Sequence, residues 1–106
     1  PPMEWVSGLS DARICSVEQT KQSLTVFLDS SYTQLHPANG VRQITFRDYQ
    51  IVENAPLIGL FWHQDQLKHT GERYELHLKL CDSRNHKKEF VIRFSRFEII
   101  RSQQTR

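Results

Sequence analysis

At 106 residues the chain has room for one good hydrophobic core, and residues 1–106 are read as a single domain. With 38% hydrophobic and 25% charged residues it is globular rather than disordered or fibrous; its longest apolar run is too short to span a bilayer as a helix, and its start carries no secretory signal, so a cytoplasmic location without membrane contact is expected. A formal net charge of +2, with the basic residues spread along the chain, does not point to nucleic acid as a partner.

Residues 5–9 form a short apolar lead-in, with Trp5 expected to cover one end of the core. Ser10 and Asp11 break the run before a first strand over residues 12–18. Ile14 and Val17 do not share a parity there, which calls for a bulge or a strand covered on both sides. Residues 19–23 read as a turn and 24–28 as a second strand, so the two form a hairpin. Leu24, Val26 and Leu28 share its dry face, which leaves Phe27 pointing outward.

A polar loop over 29–40, with Pro37 and Asn39-Gly40 as turn formers, leads to a third strand over 41–46. Asp48 fits a helix N-cap and predicts a short helix over 49–53, closed by Pro56. Residues 57–63 are apolar on both parities and read as a strand covered on both sides, or as a segment packed beneath a loop. Residues 64–72 are polar and read as a loop, with a turn at Thr70-Gly71.

The cleanest signal follows. Tyr74, Leu76, Leu78 and Leu80 alternate with Glu75, His77 and Lys79, the pattern of a strand with one dry and one wet face. After a polar break over 82–89, Phe90-Val91-Ile92-Arg93-Phe94 alternates again, and the two runs predict a long antiparallel hairpin at the centre of the domain. Beyond Phe94 the alternation shifts by one residue, and an extra residue near Ser95-Arg96 would restore the facing of Phe97 and Ile99. Residues 102–106 read as a frayed tail. The expected fold is all-β with at most one short helix, a small antiparallel β-sandwich or half-barrel of about six strands.

No motif in the chain names a reaction. Cys15 and Cys81 read as two buried free thiols, with one disulfide between them as the alternative, and no CxxC or Cys/His cluster with zinc spacing is present. His63, Asp65 and His69 are the nearest approach to a metal site, since three ligands with an open position suit a catalytic zinc. Their spacing matches no site of known mechanics, and the expectation is no metal, no cofactor and no catalysis. His77 on the wet face reads as an exposed cross-strand residue, because a general base there would need a partner and a pocket. An apolar run that leads straight into polar residues has the character of an interface, which makes Phe61, Trp62, His63 and Asp65 candidate partner-binding residues, with Phe27 a further anchor. The competing reading places Phe61 and Trp62 in the core.

Two places carry a resemblance. Leu9-Ser10-Asp11-Ala12 with the strand after it and the run from Leu24 to Asp29 form one; Gly71-Glu72-Arg73-Tyr74-Glu75-Leu76, Phe94 and Phe97-Glu98-Ile99 form the other. This strand pattern resembles immunity proteins of bacterial polymorphic toxin systems and related small β domains, although Ser10 stands where that pattern has histidine. The resemblance implies a non-enzymatic all-β domain that binds another protein, a cognate toxin made by the same cell. The alternatives are a small metal-dependent hydrolase using His63, Asp65 and His69, and an accessory structural domain of a larger assembly.

Overall fold

The structure, a computed structural model, describes residues 9, 12–29 and 41–101. The expectations for Trp5, Ser10, Asp11, the Asn39-Gly40 turn and the tail at 102–106 lie outside the described residues. Among the described residues there are eight strands: β1 (Arg13–Gln19), β2 (Ser23–Asp29), β3 (Val41–Arg47), β4 (Gln50–Glu53), β5 (Phe61–Thr70), β6 (Arg73–Cys81), β7 (Lys87–Phe94) and β8 (Arg96–Arg101). They form one antiparallel sheet in the order β4-β7-β6-β5-β1-β2-β3-β8. The protein is all-β, and among the described residues no helix is long and apolar enough to cross a membrane.

The single sheet is strongly curled. β7 and β3 stand five places apart in it, which at about 4.8 Å per strand would separate them by roughly 24 Å if it were flat. Yet the rings of Phe46 on β3 and Phe94 on β7 are 4.8 Å apart. The half built from β4, β7, β6 and β5 therefore faces the half built from β1, β2, β3 and β8. The core lies between them and holds Trp62, Phe46, Phe90, Phe94 and Phe97 among its largest fully buried side chains. The described residues form eight strands where about six are expected.

Three local expectations are corrected. The helix over 49–53 is strand β4, since Ile51 and Val52 are β-branched and the segment pairs with β7. Asp48 is not an N-cap: its φ of 54° is left-handed and turns the chain from one half of the sheet to the other. The polar loop over 64–72 is mostly strand β5, which reaches Thr70 and pairs along its length with β6. Its inward positions after the start are Asp65, Leu67 and His69, so only one of three is apolar and the alternation is hidden.

Other expectations hold with a physical cause. Cys15 is the extra residue of a bulge between Ile14 and Ser16, which brings both Ile14 and Val17 inward. The break after Phe94 falls at Ser95, but the chain does more than restore its facing there: β7 pairs with β4 and β6, whereas β8 pairs with β3.

The two crossings meet at one corner. The Ser95 backbone amide donates to the Arg47 carbonyl at 3.0 Å, and its hydroxyl donates to Asp48 Oδ2 at 2.8 Å. Arg73 Nη2 donates to the Asp48 carbonyl at 2.7 Å. Asp48→Val is expected to cost about 1–3 kcal/mol, because a β-branched residue strains at positive φ and the link to Ser95 is lost. Asp48→Gly keeps the conformation and loses only the hydrogen bond, so it is expected to cost less. Urea melts of both variants check the order; an equal loss would mean that the left-handed corner does not matter.

Candidate functional site

Cross-strand register fixes what the outer face of β5, β6 and β7 presents, because directly opposed residues share a face. Lys79 lies between Gln64 and Glu89, His77 between Gln66 and Val91, and Glu75 between Lys68 and Arg93. An open groove of about 530 Å³ runs over this face, lined by Gln64, Asp65, Gln66, His77, Leu78, Lys79, Glu89 and Val91. A smaller hollow of about 310 Å³ is lined by Thr70, Arg73, Tyr74, Glu75 and Arg93.

A chain of charge-assisted hydrogen bonds orients His77 in the groove. Arg93 Nε donates to Glu75 Oε1 at 2.8 Å, and His77 Nε2 donates to Glu75 Oε2. The carboxylate thus holds the imidazole in one orientation, and the guanidinium holds the carboxylate. Val91 is buried beside the ring and gives the groove an apolar patch in its floor. The pocket and the partner that a functional His77 would need are both present. None of the residues that line the groove carries a hydroxyl or a thiol. The arrangement supplies oriented donors and acceptors.

Hydrogen bonds from Arg93 first and His77 second hold the Glu75 carboxyl below the ordinary glutamate range. A carboxyl whose pKa is depressed by folding contributes stability that is present above its unfolded value. That contribution is lost as pH falls through the folded value. Between about pH 5 and pH 3 the wild type is expected to lose stability more steeply than Glu75→Gln. Asp82 and Glu98 are shifted in the same direction and supply a shared slope in both proteins. Urea midpoints across this range test it, and parallel slopes would show that the network does not favour the ionised Glu75.

The residues singled out from sequence do not form one cluster. Trp62 is 1% exposed, and its Nε1 donates to Asp65 Oδ2 at 2.7 Å. Trp62 is core, and the expectation that it anchors a partner is corrected. A bulge between Trp62 and Gln64 takes His63 out of the alternation and turns Asp65 to the inner face, where it holds the indole. His63 and Asp65 therefore do not share a face as a continuous strand would have them. His69 stacks on Tyr74, with ring centroids 4.6 Å apart. The structure thus gives Asp65 and His69 separate partners, and among the described residues no group of three or more His, Cys, Asp or Glu side chains is placed to hold a metal.

Phe61 is half-buried on the outer face, opposite Arg13 on β1 and Cys81 on β6. Phe27 does lie on the outward side of β2, half-buried and opposite Ser16 and Gln43. Cys15 and Cys81 are both free, but Cys15 is exposed at its bulge rather than buried, with Sγ 3.4 Å from the Phe27 carbonyl oxygen.

Sequence reasoning missed Gln64, Gln66 and Lys68, which alternate outward along β5, and it missed the link between Arg93 and Glu75. The alternation of Gln64, Gln66 and Lys68 against Asp65 and Leu67 was the available signal. Comparisons with protein-family models, with curated proteins and with solved structures gave no match.

Proposed function

We propose that the protein is a non-catalytic protein-binding domain whose interface is the outer face of β5, β6 and β7. The observation that carries this reading is the groove on that face, in which the Arg93–Glu75–His77 chain holds His77 in one orientation. Side chains already held in place lose little rotamer freedom on binding, which favours recognition. The curled sheet, a half-barrel in this reading, braces the face from behind with its core. The strand pattern shared with immunity proteins makes a cognate toxin the partner to test first.

Titration calorimetry against the product of the neighbouring upstream gene tests this. The wild type is expected to bind, and His77→Ala is expected to weaken binding about tenfold or more, equivalent to about 1.4 kcal/mol. Phe27→Ala, on the other half of the sheet, is expected to leave affinity within about twofold. No binding by the wild type would remove the toxin reading. Loss with Phe27→Ala but not with His77→Ala would move the interface to the other half.

A further inference from the structure

The face that holds the groove is basic. The outer face of β5, β6 and β7 carries five cations, Lys68, Arg73, Lys79, Lys87 and Arg93. Against them stand two carboxylates, Glu75 and Glu89. Glu53 on β4, opposite Val91, is a further carboxylate at the edge of this half, so the surplus of cations lies on β5, β6 and β7. Arg93 is engaged by Glu75, but among the described residues Lys68, Lys79 and Lys87 form no ion pair.

We propose that this face takes an acidic, extended segment of a partner protein, an inference that rests on the protein-binding reading above. The three lysines are spaced for such a ligand. Lys87 pairs with Cys81, two positions along the ladder from Lys79, and Lys68 pairs with Glu75, four positions from Lys79 in the other direction. Each step also crosses one strand spacing of about 4.8 Å, so the three lysines lie on a diagonal with separations of about 8 Å and 15 Å, against a same-face repeat of about 7 Å in an extended chain. Acidic residues at alternating positions therefore fall in step with the lysines, while Gln64, Gln66 and His77 lie between for hydrogen bonds. A nucleic acid strand fits less well, because the groove lining carries no Phe, Tyr or Trp on which a base would stack.

Nuclear magnetic resonance titration of the whole chain with four probes decides it. The probes are eight-residue peptides alternating Glu-Ser, Gln-Ser or Lys-Ser, and an eight-nucleotide oligouridine. The Glu-Ser peptide is expected to shift amides of Gln64, Gln66, Lys68, His77 and Lys79. It should bind at least about tenfold tighter than Gln-Ser, and severalfold more weakly at about 200 mM salt than at about 50 mM. The double variant Lys68→Gln/Lys79→Gln, which sets no new carboxylate opposite Glu75 or Glu89, is expected to weaken this binding severalfold while melting as the wild type does. Equal binding of Glu-Ser and Gln-Ser at this face, or preference for Lys-Ser, would overturn the acidic ligand and leave the protein-binding reading standing. Tighter binding of oligouridine would overturn both. If no probe shifts this face, the acidic-segment proposal fails; the protein-binding reading then fails only if the calorimetric test also gives no complex.

Discussion

Trp62→Ala is expected to cost about 3–5 kcal/mol, enough to remove much of the net stability of a small domain. The side chain is 1% exposed and is the largest in the core. Its backbone amide donates to the Ala12 carbonyl at 2.7 Å, close to the junction where β1 meets β5. Truncation removes the transfer energy of the indole, leaves a large cavity beneath that junction, and takes the Nε1 donor from Asp65. Trp62→Phe separates these contributions. It keeps most of the ring volume and loses the donor, so it should cost clearly less than the alanine change. Urea midpoints with an unchanged m-value would measure both. A loss below about 1 kcal/mol for Trp62→Ala would place the residue among surface changes and revive it as a binding anchor.

Phe94→Ala is the second large effect, also about 3–5 kcal/mol. Phe94 is fully buried and lies 4.8 Å from Phe46, 5.5 Å from Tyr74 and 5.9 Å from Phe97, ring centre to ring centre. Phe46 and Phe97 belong to one half of the sheet, and Tyr74 and Phe94 belong to the other. The ring cluster is therefore the main aromatic contact across the curl, beside the corner formed by Asp48 and Ser95. The wild type is expected to unfold in one transition, seen alike by tryptophan fluorescence and far-ultraviolet circular dichroism. Separate transitions in the wild type would show that the halves fold independently and that the cluster does not couple them.

Much of the central hairpin is legible in the sequence because each inward residue from Tyr74 to Leu80 is large and apolar. The parity conflict between Ile14 and Val17 likewise announced the bulge at Cys15. β5 was hidden for a tertiary reason. Its inward Asp65 is polar because it serves the Trp62 indole, and His69 is inward because it stacks on Tyr74. Neither partner can be inferred from local alternation. β4 was misread because Asp48 suits a cap and a left-handed corner equally well; only the crossing to β7 selects the second.

The site was half legible. The outward facing of Glu75, His77 and Lys79 followed from periodicity, but the partner of Glu75 depends on the register of β7. That register is set by the turn before it, where Asp82 Oδ1 accepts from the amides of Arg84 and His86 and Asn85 sits at φ 68°. The turn's length decides that Arg93, rather than a neighbour, stands opposite Glu75.

The central claim is that the protein meets its partner with the outer face of β5, β6 and β7. Lysine acetylation footprinting, read by mass spectrometry with and without the upstream gene's product, tests it most directly. Lys68 and Lys79 lie on that face, and Lys21 lies in the turn between β1 and β2 on the other half. Complex formation is expected to slow acetylation of Lys68 and Lys79 severalfold and to leave Lys21 unchanged. Protection of Lys21, with Lys68 and Lys79 still reacting at the free rate in the complex, would contradict the claim.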